Sequence, residues 1–185
     1  MNIAIIIFLI LLSAWLFELV IFEETANKRK EVKQELLMKT LITCTFLLSL
    51  TGSFLLGKTS GEPMLYTKTI GIIFLIQGLF LRYWTYYLIK PHFTRTIMPL
   101  ANRPLYSHGP FRFTRHPFHT GFFLITLGIN LFISGNWLSI LPTFIFVASA
   151  LHYRMTLEEA YYSEKYGDIY AYWCRHRFRL LPFLY

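Results

Sequence analysis

Long apolar runs separated by short polar stretches set the pattern of this chain. Five runs stand out, over Asn2–Phe22, Thr40–Gly57, Thr69–Ile89, Phe118–Ile133 and Trp137–Tyr153. A helix rises about 1.5 Å per residue, so a run near 20 residues covers about 30 Å of hydrocarbon. The pattern therefore predicts an all-α, polytopic membrane protein with five transmembrane helices. Ser134-Gly135-Asn136 between the last two runs is a turn signal and predicts an antiparallel helical hairpin. Farther on, Tyr162, Tyr166, Tyr170 and Tyr172 line a segment broken near Gly167. This reads as a C-terminal interfacial helical tail carrying a tyrosine belt. Residues 1–185 read as a single membrane domain in which 1–68 supply the N-terminal helices.

The polar stretches suggest an orientation. Lys28, Arg29, Lys30, Lys33 and Lys39 follow the first run, and Lys90, Arg95, Arg103, Arg112 and Arg115 follow the third. Lys165, Arg175, Arg177 and Arg179 follow the fifth, whereas residues 58–68 hold only Lys58 and Lys68. Basic residues concentrate on the cytoplasmic side of membranes. An odd number of spans then places the N-terminus outside and the C-terminus in the cytoplasm. The first run has no basic segment before it and no small-residue cleavage site after it, so it reads as a retained helix. Glu18 and Arg82 fall near cytoplasmic ends. Glu18 reads as an interfacial anchor, and Arg82 as either an anchor or support for a site. Gln77 reads as an interhelical hydrogen-bonding group. Gly71 with Gly78, and Gly121 with Gly128, share a spacing that suggests close helix contacts.

Composition agrees with the pattern. Hydrophobic residues make up 55% and charged residues 15%, against about 25% charged in soluble domains. The net charge of +8 lies at the ends of apolar runs, which suits anionic lipid headgroups and not nucleic acid. Cys44 and Cys174 form no paired motif and read as packing residues. None of the ten glycines forms a nucleotide-binding fingerprint.

Candidate chemistry is confined to two polar clusters. The first ends in Gly109-Pro110-Phe111-Arg112-Phe113-Thr114-Arg115-His116-Pro117, directly before the fourth run. Pro117 suits the first position of a helix, which places His116 at its cap and His119 in its first turn. Free amides and the positive end of the helix dipole would face this corner, where a carboxylate or phosphate can bind. A basic interfacial belt is the plainer alternative. The second cluster holds Arg154 and Glu158, four apart and so on one helix face, followed by Glu159. They form either an intrahelical ion pair or parts of a site. The order, Arg before Glu, is the weaker one for such a pair and favours other partners. His116, His119 and His152 are the set from which a metal site could be drawn, and the reading assigns no metal.

Together the clusters resemble the isoprenylcysteine carboxyl methyltransferase family and its bacterial and phospholipid methyltransferase relatives. The resemblance rests on Arg103-Pro104-Leu105-Tyr106, Gly109 to Arg112, Arg115-His116-Pro117 and Gly121. It continues through Glu158-Glu159, Tyr166-Gly167, Tyr170, Tyr172 and Arg179-Leu180-Leu181-Pro182. It covers residues 80–183 as a catalytic core. It implies an integral membrane enzyme that uses S-adenosyl-L-methionine in a cytoplasmic pocket, with a lipophilic acceptor reaching it from the bilayer. Carried over, the cofactor contacts are Arg103, Pro104, Leu105, Tyr106, Phe111, His116, Pro117, His119 and Glu158. Arg154 faces the acceptor, and Arg154 and His116 carry the chemistry. The family usually has Tyr at the positions of His119 and Phe111, and its eukaryotic members have His where Arg103 stands. A chain of this length carries the expectation of a bacterial cell membrane. The acceptor is left open between a carboxylate, an enol and an amine, and the oligomeric state is open too.

Two other readings stand beside this one. Membrane sterol-type reductases, which use NADPH, have a similar Arg-His-Pro corner, but theirs continues with Asn-Tyr instead of Phe118-His119. A non-catalytic membrane scaffold would reduce both clusters to interfacial belts.

Overall fold

The computed structural model describes residues 3–22, 33–59, 63–97 and 103–180. Its regular structure is helical, and among the described residues the one departure toward sheet is a single bridge pairing Thr114 with Phe178. Helix α1 spans Ile3–Ile21, α2 Lys33–Thr59, α3 Leu65–Ile89 and α4 Pro117–Ser134. Helix α5 runs over Trp137–Tyr166. It starts with a 3-10 turn and widens into a π-helical stretch over Thr143–Ala148, just after Pro142. A short α6, Asp168–Cys174, follows Gly167. The charged stretch from Glu23 to Glu31 and the closing Leu181-Pro182 lie outside the described residues.

Among the described residues four helices are long and apolar enough to cross a membrane: α2, α3, α4 and α5. The expected first span is helical over 19 residues, but its apolar stretch, Ile3–Glu18, is shorter than the other four. Its outward face is nonetheless apolar, with Ile3, Ile10, Phe17 and Val20 exposed. An outward-facing apolar surface of this extent belongs in lipid, and the chain is built as a multi-pass membrane protein.

The α3–α4 pair forms the centre. Its register is set by glycine against glycine. A Cβ on Gly78 would stand 2.7 Å from the Gly121 carbonyl oxygen, and one on Gly128 2.5 Å from that of Gly71. Only hydrogen allows the two backbones this approach, which is the expected consequence of both seven-residue spacings. Phe123, Leu127 and Leu131 of α4 then pack with Val147, Leu151 and Met155 of α5. Inside this apolar wall Asn130 donates to Ser49 Oγ at 2.6 Å and Thr143 Oγ1 at 2.7 Å, tying α2, α4 and α5.

The turns define two ends. Gly135 caps α4 at φ +63°, and its carbonyl accepts from the Met64 amide at 3.0 Å. The end of α2, the start of α3 and the α4–α5 turn thus meet at one end. The polar clusters lie at the other.

Glu18 and Gln77 differ from the sequence reading. Glu18 is 2% exposed, not an interfacial anchor. It accepts from Arg82 Nε at 2.7 Å and also from Arg82 Nη2, which fastens α1 to α3. A carboxylate this deep is tolerable only when paired. Gln77 is exposed and makes no interhelical hydrogen bond among the described residues.

Candidate functional site

The site is built around the start of α4. A 3-10 turn over Gly109–Arg112, with Pro110 fixing its first turn, reverses the chain into Thr114-Arg115-His116. Pro117 opens α4 as expected, because the first helical position needs no N–H. His116 is the cap residue, yet its ring makes no capping bond. It turns instead toward α5 and lies between two carboxylates. Its Nδ1 is 3.4 Å from Glu158 Oε2 and its Nε2 3.0 Å from Glu159 Oε1. Burial by itself would push this imidazole down. The hydrogen bonds and charges of Glu158 and Glu159 outweigh that and hold it above its ordinary value.

The chain of charges continues on both sides. Glu158 Oε1 accepts from Arg154 Nε at 2.8 Å and lies 3.4 Å from His119 Nε2. The Arg154–Glu158 pair therefore does form, against the weaker orientation of its sequence order. Arg154 also donates to the Arg95 carbonyl at 2.8 Å. Glu159 meets Arg179 Nε at 3.2 Å and Arg115 Nη1 at 3.5 Å.

Residues after α6 cross this corner as a strap. The Arg115 amide donates to Phe178 O at 2.9 Å, and the Phe178 amide to Phe113 O at 3.1 Å. Arg177 Nε reaches Phe111 O at 2.7 Å, and Thr120 Oγ1 reaches Leu180 O at 3.0 Å. The strap fixes the 3-10 turn and the first turn of α4 to the end of the chain.

Behind these groups lies a cavity of about 500 Å³, within the range of small-molecule sites. Arg103, Pro104, Leu105, Tyr106, Phe111, His116, Pro117, His119, Arg154 and Glu158 all line it. The residues that the resemblance assigned to cofactor and acceptor thus line one cavity. Tyr162 and Tyr170 stack with ring centres 5.6 Å apart, and Tyr170 and Trp173 at 5.7 Å. These rings line the cavity, so part of the tyrosine series is site and not belt. Burial, then the charge of Glu159, pushes the Tyr170 phenol well above its ordinary value.

The sequence reading missed several members. Glu159 was named only within a motif, yet it is the second carboxylate on His116. Trp15, Glu18, Lys39, Thr43 and Arg95 also reach the wall. For the four on α1 and α2 the signal was weak because neither helix has a distinct apolar face, so no side of either was marked as inward.

His116, His119 and Glu158 offer one ligand atom each within 4.8 Å of one another. Arg154 and His116 already engage both oxygens of Glu158. A cation there would displace an arginine, and the cluster reads as a hydrogen-bonded chain. His152 is exposed and does not line the cavity.

Residues 70–164 match the sequence model of the isoprenylcysteine carboxyl methyltransferase (ICMT) family. The chain belongs to this family. The match begins on α3 and ends near the close of α5, so it contains both polar clusters. The chain is also similar to a protein-S-isoprenylcysteine O-methyltransferase of Schizosaccharomyces pombe, 30% identical over 105 residues. That alignment covers 56% of this chain and 44% of the relative, less than half its length. Glu18 and Lys39 on the N-terminal helices, and Tyr170 and Trp173 on α6, lie outside the region of the family match.

Proposed function

We propose that this ICMT-family chain transfers a methyl group from S-adenosyl-L-methionine to a lipophilic acceptor at the cytoplasmic face of a membrane. The supporting observation is the convergence of both polar clusters on one cavity, joined by His116 between Glu158 and Glu159. The donor set fits this cofactor. Its cationic parts find Glu158 and the faces of Tyr162, Tyr170 and Trp173, since cations favour carboxylates and aromatic faces. Its carboxylate finds Arg103 and the first-turn amides of α4. When bound, the cofactor supplies an electrophilic methyl group on a sulfonium.

The protein's own part is to hold and align. Alignment of two reactants can lower a barrier by several kcal/mol, up to about 7–11 in ideal cases. Glu158 orients the donor, and the His116–Glu159 pair anchors the helix that carries it. Arg154, held by Glu158 and the Arg95 carbonyl, faces the acceptor. The hydrocarbon tail is accommodated toward Trp15, Ile42 and Phe122, where the cavity reaches α1, α2 and the membrane depth of α4. We further propose five spans in a bacterial cell membrane, with the N-terminus outside and the polar end cytoplasmic.

The test is incubation of the purified protein with methyl-labelled S-adenosylmethionine and a total lipid extract, alongside calorimetry with S-adenosylmethionine and NADPH. Donor binding and a labelled lipid product are expected. Binding of NADPH in place of the methyl donor would move the chain to the reductase reading.

A further inference from the structure

We infer that a second cavity, on the opposite faces of α3 and α4 from the first, is a binding site for one anionic phospholipid, and that the bound lipid braces the strap. Its volume is about 320 Å³. Leu81 and Trp84 of α3, Leu124 of α4, and Phe113 and Phe178 at the corner line it. Their neighbours Arg82 and Thr85 of α3, and Phe118 and Phe122 of α4, line the first cavity. The two cavities share no lining residue.

The apolar wall fits an acyl chain. Leu81 lies eight residues before the end of α3, and Leu124 seven residues after the start of α4. At about 1.5 Å per residue the wall reaches about 10–12 Å below the helix ends, into the depth of the lipid tails. Trp84 and Phe113 are exposed, as aromatic side chains at headgroup level are.

The charge around it fits an anionic headgroup. The segments that supply Phe113 and Phe178, residues 105–115 and 175–180, contain Arg112, Arg115, Arg175, Arg177 and Arg179 and no acidic residue. Arg115 and Arg179 turn inward to Glu159, and Arg177 to the Phe111 carbonyl. Arg112 and Arg175 are exposed, and their side chains have no partner among the described residues. A lipid phosphate answers such cations. A second copy of this chain on the same surface would set like charges against them.

The cavity also sits on the joint that holds the strap. The Phe178 ring is part of its wall, while the Phe178 backbone pairs with Arg115 and Phe113. Thr114 and Thr120 complete the wall and spend their hydroxyls on the Arg179 and Leu180 carbonyls. Opening the strap would dismantle the wall, so a bound lipid opposes opening. It thereby steadies Arg115 and Arg179 on Glu159, the carboxylate that meets His116 Nε2.

The site stands apart from methyl transfer, and its test uses no donor. The full chain in detergent is loaded with equal amounts of phosphatidylglycerol and phosphatidylcholine of identical chains and read by native mass spectrometry. Wild type is expected to retain one phosphatidylglycerol, preferred about tenfold or more. Arg112→Gln should lower that preference about fivefold, the share of one basic residue. Phe113→Ala, at an exposed position, should weaken retention of both lipids about tenfold. Hydrogen exchange reads the bracing. At ten times the half-saturating phosphatidylglycerol concentration of wild type, its Arg115 and Phe178 amides should exchange about tenfold more slowly than without lipid. Phe113→Ala should show only about a twofold slowing at that concentration. Equal retention of the two lipids by wild type, or an unchanged preference in Arg112→Gln, would overturn the headgroup assignment. Unchanged exchange with the lipid bound would overturn the bracing. A dimer that excludes lipid and is lost in Phe113→Ala would give the cavity to a second copy instead.

Discussion

His116 shows how one side chain joins two parts of the chain. Its imidazole is held above its ordinary value by Glu158 and Glu159. A base whose pKa is raised on folding stabilises the fold fully below its unfolded value, near 6.5. That contribution fades as pH rises through the raised value. The melting temperature of wild type in detergent is therefore expected to fall across that window, and His116→Gln should flatten the fall. A wild-type curve that climbs through the same window would refute the assignment. Glu158 answers to a different measurement. Glu158→Gln keeps the shape and removes the charge, so donor affinity should drop about tenfold to a hundredfold by calorimetry, the worth of one charge-assisted hydrogen bond. Both residues were legible in the sequence because Pro117 fixes where α4 starts and the four-residue spacing fixes the face of Arg154 and Glu158. Glu159 was not, since nothing in the sequence shows that the His116 ring abandons its cap and turns toward α5.

Among the elements, the α3–α4 contact was the most readable, from two pairs of glycines at equal spacing. Gly121→Val would drive a side chain into the Arg82 stem and the Gly78 carbonyl, at 2.5 and 2.9 Å from its first carbon. Overpacking of this kind costs about 1–3 kcal/mol or more. Its melting temperature should fall well below that of Gly52→Ala, whose nearest neighbour is the Pro142 ring at 3.3 Å. The docking of α1 was misread, because partners 64 residues apart leave no local trace. Glu18→Gln would leave the buried Arg82 charge unpaired at a cost of about 3–5 kcal/mol. Glu18→Leu combined with Arg82→Met removes both charges and should recover much of that loss in the same melting assay. A double variant no better than the single would deny the pairing. Arg82 also stacks on Phe118 at 3.8 Å and donates to its carbonyl at 3.2 Å. Loss of Glu18 should therefore disturb the first turn of α4 as well.

For the whole molecule, the fold class and the position of the site at one end were readable from loop charge and apolar runs. The part of the cavity wall supplied by α1 and α2 was not, because their partners lie far away in the chain. Sidedness has a direct test. In a background lacking Cys44 and Cys174, Lys58→Cys should react with an impermeant maleimide on intact cells, and Arg175→Cys only after permeabilisation. The reverse pattern would invert the proposed orientation. The glycine seam has a mechanical consequence. Backbones in direct contact leave no slack for sliding, so α3 and α4 behave as a single rigid post. Any breathing of the cavity wall then falls to the elements packed around that post, of which α1 is latched to it by Glu18 and Arg82. The latch on α1 thus lies partly in a stretch of chain that the family match does not reach.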